Sequence, residues 1–128
     1  MCKPDLDIYN QTDPGFVAWR TAIYALSKCD RTFIKISGGF SEMSLPLRQR
    51  PADEIFMAIH PWLSVIIATF GAPRMMFGSD WPVCTVDLEG AWAKWKAVVD
   101  KMCYMYSLTD EDKAMLFAGT ATKAYGLE

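Results

Sequence analysis

Only two stretches of this sequence read as buried β-strands, and both are short. They are "TFIKISG", residues 32–38, and "RMMFGSD", residues 74–80. Phe33, Ile34 and Ile36 fill the first, and Met75, Met76 and Phe77 the second. Strands that are mostly apolar along their length suit a parallel sheet covered on both faces. The segment between them has a helical pattern and is long enough for the crossover that a parallel pair needs. The expected fold class is therefore α/β, with about two parallel strands and flanking helices. Two strands leave both outer edges of the sheet unpaired, and open edges invite self-association.

The helices can be read from periodicity and end signals. "FVAWRTAIYALSK" carries Phe16, Val17, Trp19, Ile23, Tyr24 and Leu26 at helical spacing, and Asp13-Pro14 is a start signal. Residues 52–69 are helical in pattern, with a break expected at Pro61. In "LEGAWAKWKAVVDKM", Leu88, Trp92, Trp95, Val98 and Val99 share a face expected to pack on the sheet. Thr109 and Asp112 have capping-box spacing, and Gly119 is expected to separate two short helices. The stretch "GGFSEMSLPLRQRP" reads as a long loop, a common place for function.

Composition excludes several classes. With 52% hydrophobic residues the chain is no disordered tail, and a net charge of −2 argues against nucleic acid or an anionic membrane as partner. Cys2, Cys29, Cys84 and Cys103 form no CxxC pair, and His60 is the only histidine, which argues against a Cys/His zinc site. No secretory apolar region precedes them, so they read as reduced thiols in a cytoplasmic protein. The apolar run within "IHPWLSVIIATF" is too short to span a bilayer.

Asp80 is the residue that asks for a chemical explanation. It follows the second strand directly, with Gly78 to allow a sharp turn and Ser79 and Trp81 on either side. In α/β barrels catalytic groups stand at the C-terminal ends of strands. A carboxylate there serves as a general base toward water or as a metal ligand. A plain turn or capping aspartate is the alternative.

The motifs resemble a known family. "FGAPRMMFGSDWPV", residues 70–83, resembles the last barrel strand of the amidohydrolase-related family, the lactonase-type branch of the amidohydrolase superfamily. "FIKISG" is similar to its seventh strand, and "MCKP" to the tail of a "DHxGKP" motif that ends the sixth. "LFAGTATKAYGL" resembles the C-terminal signature "FGGNAARLYGL", with Thr120 in place of the usual Asn. The resemblance implies the C-terminal portion of a TIM (β/α)8 barrel, whose full length is about 250 residues. Residues 1–128 would be the C-terminal part of that barrel domain, without its N-terminal strands and their histidines. A truncated gene product or fragment, inactive on its own, is the expectation that follows.

The resemblance also implies chemistry. Family members hydrolyse lactones of sugar acids or of aromatic-degradation intermediates; others act on amides or decarboxylate. Asp80 would take a proton from the attacking water and later protonate the leaving alkoxide, or would bind a divalent zinc or manganese where a member uses one. Arg48 and Arg50 are candidates to hold a substrate carboxylate bidentately, or are surface arginines. Lys3, which matches the "GKP" lysine, and Trp81 are further substrate-binding candidates. Ser79 lacks the G-x-S-x-G elbow of a nucleophile and is expected to orient Asp80. Glu42 reads as a surface residue, Cys84 as a small apolar filler and His60 as structural.

Overall fold

The computed structural model describes residues 4–86 and 88–127. Helix α1 (Pro14–Ser27) starts where the sequence predicts: the Asp13 carboxylate accepts the Gly15 N–H at 2.7 Å, and Pro14 occupies the first turn. Strand β1 (Ile34–Ile36) follows, then a 3₁₀ turn (Gly39–Glu42), the short helix α2 (Leu45–Arg48) and the long helix α3 (Ala52–Phe70). Strand β2 (Met75–Phe77) lies parallel to β1, with Ile34 opposite Met75 and Ile36 opposite Phe77. Helices α4 (Ala91–Met105), α5 (Asp110–Ala114) and α6 (Thr120–Tyr125) complete the chain.

Four expectations change at this level. The stretch expected to be a long loop contains the 3₁₀ turn and α2, held from a distance by Asp7. Its carboxylate accepts the Ser44 N–H and hydroxyl at 2.7 and 2.6 Å, capping α2. Helix α3 does not break at Pro61. Proline has no N–H to give the Met57 carbonyl, but His60 Nδ1 lies 3.1 Å from that oxygen and donates to it. Trp92 stands apart from the face it was expected to share and is exposed; the buried positions of α4 include Ala91, Trp95, Val98, Val99 and Met102. Gly119 does not separate α5 from α6, because its φ of −59° and ψ of −41° are helical and a π-turn (Met115–Gly119) joins them.

The core lies where α3 and α4 cover the strands. Ile55, Phe56, Ile59, Trp62, Leu63, Ile66 and Phe70 recur every three or four residues along α3, and all are buried. Each such side chain contributes about 1.5–3 kcal/mol on burial. Helix α1 joins through an aromatic cluster: the Trp62 ring meets Phe16 and Trp19 edge-on, with centroids 4.7 and 4.6 Å apart. Helix α3 has 19 residues and a mean hydropathy of 1.3, enough by length and composition to cross a membrane, but its inner face is packed into this core.

Arg74 fastens the base of the structure. Its guanidinium donates to the Ser27 carbonyl at the end of α1 (2.9 Å) and to the Thr69 carbonyl near the end of α3 (3.1 Å). A cation is favourable at both helix C-termini. Thr120, fully buried, donates its hydroxyl to the Ala72 carbonyl at 3.1 Å, tying α6 to the turn before β2. Cys29, Cys84 and Cys103 are free thiols. Burial pushes the Cys103 thiol up, and the Asp100 charge adds to this while Lys113 and Lys96 oppose it.

Candidate active site

Strand β2 delivers Asp80 to its position in three residues. Gly78 keeps an ordinary φ, and Asp80 makes the turn itself, with φ at +61°. The left-handed region costs an L-residue about 1–2 kcal/mol, and aspartate is among the side chains that tolerate it. Strain held in place next to a reactive group is a common mark of a functional site. The Asp80 carbonyl accepts the Cys84 N–H at 2.9 Å, so the exit loop folds back on the same residue.

The Asp80 carboxylate points across to the end of β1. Ser41, in the 3₁₀ turn, donates its hydroxyl to Asp80 Oδ2 at 3.4 Å. Gly38 has φ of +71°, and a Cβ there would lie 3.5 Å from the same oxygen. Gly39 must lack a side chain altogether, since a Cβ would sit 2.3 Å from the Trp95 ring. That ring donates its indole N–H to the Ile36 carbonyl at 3.3 Å, which fixes α4 beneath the end of β1. The glycine pair thus lets two strand ends, a helix and a carboxylate converge.

A cavity of about 580 Å³ opens beside this point, and Asp80 and Glu42 both belong to its wall. The rest of the lining is largely apolar and includes Trp19, Ile23, Trp62 and Leu63. A half-buried carboxylate on such a wall can accept a proton from a bound water.

The other sequence candidates are dispersed. The Ser79 hydroxyl accepts the Trp81 N–H at 3.3 Å, and the hydroxyl seen to reach the Asp80 carboxylate among the described residues is that of Ser41. Trp81 is 73% exposed on the exit loop and is not part of the cavity wall. Arg48 is half-buried, and its buried Nε has no acceptor among the described residues. Arg50 opens onto a separate groove with Tyr9, Asp53 and Glu54. Lys3 lies outside the described residues. Cys84 is buried, and His60 serves α3.

Ser41, Gly38 and the inward position of Glu42 were not found from sequence. Ser41 lies 39 residues from Asp80, and the one available signal was the Gly-Gly step that ends β1. For a metal, Asp80 is a chemically suitable ligand, but the described residues hold no cluster of three His, Cys, Asp or Glu side chains. A catalytic zinc takes about three protein ligands, so these residues alone do not form such a centre.

The family profile for amidohydrolases matches residues 3–127. The chain belongs to the amidohydrolase family. It is 30% identical over 125 residues to the L-fucono-1,5-lactonase of Burkholderia multivorans, covering 98% of this chain and 40% of that protein. It is 26% identical over 134 residues to the L-rhamnono-gamma-lactonase of Scheffersomyces stipitis, covering 99% and 39%. The chain therefore spans about two-fifths of the length of the curated relatives it matches. A crystal structure of an amidohydrolase from Burkholderia multivorans with bound HEPES superposes with a TM-score of 0.81 at 28% identity, covering 96% of this chain and 41% of that one. A second crystal form, with bound zinc, gives 0.79 at 27% identity, covering 97% and 41%. The two parallel strands and their helices are accordingly part of an amidohydrolase TIM barrel, the C-terminal part that the sequence motifs indicate.

Proposed function

We propose that Asp80 is the general base of a lactone-hydrolysing site, acting on a sugar-acid or aromatic-derived lactone. The observation that carries this reading is the carboxylate held at the end of β2, in a left-handed turn, against Gly38 and Ser41 and on the wall of the cavity. The lactonases among its relatives support the substrate class.

The reaction follows from that placement. Asp80 takes a proton from water as the oxygen adds to the lactone carbonyl carbon. The tetrahedral intermediate collapses with cleavage of the ring C–O bond. The departing alkoxide takes the proton back from Asp80, which leaves a hydroxy acid and a regenerated carboxylate. Ser41 holds the carboxylate in register. Arg48, in the segment after β1 but outside the cavity wall, is proposed to hold a substrate carboxylate through its guanidinium. Trp81, exposed on the exit loop, is proposed to meet the substrate from outside the cavity wall. Lys3 is proposed to bind substrate as the resemblance implies, and Arg50 faces a different groove. No step is assigned to a metal, because the described residues offer too few ligands for one.

A second reading has an observation in its favour. The described residues include no histidine at the site, and the chain spans two-fifths of its relatives' length. On that reading Asp80 acts only when the remainder of the barrel is present, and the isolated chain is inactive.

The test is hydrolysis of L-fucono-1,5-lactone and L-rhamnono-gamma-lactone, followed by acid release. It uses this chain alone and this chain mixed with the complementary part of the Burkholderia multivorans lactonase. Asp80→Asn is expected to lower turnover by about 10²–10⁴-fold. Turnover close to the parent's in that variant, or none in either parent sample, overturns the assignment.

A further inference from the structure

We propose that the groove between the exposed sides of α1 and α3 is a docking surface for an acidic amphipathic helix of a partner protein. The groove has a volume of about 380 Å³ and is lined by Arg20, Thr21 and Tyr24 from α1 and by Val65, Ala68 and Thr69 from α3. Neither strand lines it, and in an α/β barrel the helices form the outer ring. Its floor is apolar because its threonine hydroxyls turn back on their own helices. Thr21 donates to the Val17 carbonyl at 2.9 Å, and Thr69 donates to the Val65 carbonyl at 2.7 Å. On the α1 flank Val17, Arg20, Tyr24 and Lys28 follow one another in steps of three and four residues, which makes them one ridge of the helix. All four are exposed, Tyr24 by 55%.

Charge identifies the occupant. The chain as a whole carries −2, yet residues 15–29 and 55–71, which supply every wall residue, contain no aspartate or glutamate. Arg20 and Lys28 have no carboxylate partner among the described residues. Their charges rest on aromatic rings instead: the Lys28 ammonium lies 4.3 Å from the Tyr24 ring centroid, and the Arg20 guanidinium 5.9 Å from that of Phe16. Arg74 adds a third cation at the Thr69 end of the groove, where it donates to the Thr69 carbonyl at 3.1 Å. An apolar floor with cations along its rim complements a helix that lays an apolar face into the groove and carries carboxylates on its flanks. A neutral apolar helix would fill the floor and leave the cations unpaired. An anionic bilayer or a nucleic acid calls for a broader basic field than three cations on a net-negative molecule supply.

The test is an NMR titration of this chain with a synthetic helix that has leucine along one face and glutamate on both flanks. The same helix with glutamine or with lysine in place of glutamate is titrated beside it. The glutamate helix should shift the amides of Tyr24, Val65 and Ala68. At low salt it should bind about tenfold more tightly than the glutamine helix, and the difference should shrink as salt is added. Arg20→Glu should weaken the glutamate helix about tenfold and strengthen the lysine helix. Lys123→Glu, the same change of charge at an exposed lysine outside the groove, should do neither. Circular dichroism should show both variants as helical as the parent, because both side chains are exposed. Asp80→Asn should bind as the parent does, since Asp80 lies outside the groove, so failure of the proposed hydrolysis and failure of docking are separable. Each of four results overturns the inference: no binding of the glutamate helix, equal binding of the glutamine helix, shifts centred away from the groove, or charge reversal at Arg20 without effect. Capture of the chain by phosphatidylglycerol vesicles, lost in Arg20→Glu, would make the groove a lipid-facing surface and would overturn it too.

Discussion

Gly38 and Asp80 are 42 residues apart in the chain and close in space, so that a methyl added at Gly38 would reach the Asp80 carboxylate. Both have positive φ, so each strand end closes with a residue in the same strained region. Asp80 was legible from sequence because it follows an apolar strand and sits in a recognisable motif. Ser41 was not, because a serine in a Gly- and Ser-rich stretch carries no signal until the strand pairing sets its direction. We expect Gly38→Ala to destabilise the fold by about 1 kcal/mol, the cost of a methyl at left-handed φ. The added group would also stand 3.5 Å from Asp80 Oδ2. Urea unfolding measures the first effect, and a variant as stable as the parent would show that residue 38 does not depend on that conformation.

Helix α3 shows how one element absorbs a local defect. At Pro61 the backbone loses one hydrogen bond, which favours a break. The side chain next door makes up the loss: the His60 ring nitrogen takes the place of the absent N–H at Met57. Burial of seven α3 side chains then outweighs the residual strain. His60→Ala should cost about 1 kcal/mol, the net worth of one hydrogen bond. In a Pro61→Ala background the same change should cost much less, because residue 61 then supplies its own N–H. Equal effects of His60→Ala in both backgrounds, read by thermal melting, would show that the histidine acts elsewhere.

The molecule is unevenly built. Val98, Val99, Met102 and Leu116 are completely buried on the α4–α6 side, whereas β1 has an open edge and a cavity beside it. Local stability should follow that gradient. Amides of Val98, Val99 and Met102 should exchange with deuterium most slowly, and those of β1 on its free edge should be among the fastest. The urea transition of the isolated chain should be broad, because the two sides lose structure at different concentrations. A sharp transition with uniform protection would mean that the cavity side is as firmly held as the core.

Periodicity and end signals in the sequence were enough for the parallel strand pair, the helices α1 and α4, the capping box at Thr109 and the candidacy of Asp80. These are local properties: each depends on residues within one or two turns or along one strand. The continuity of α3, the exposure of Trp92, the capping of α2 by Asp7 and the partnership of Ser41 with Asp80 were decided only in three dimensions. Each of these joins groups distant in sequence or sets which side of an element faces inward. The cavity belongs to the same class. An open sheet edge can be inferred from the number of strands, but its apolar roof, with a Trp62 indole N–H that has no acceptor among the described residues, arises only when α1 and α3 pack over it.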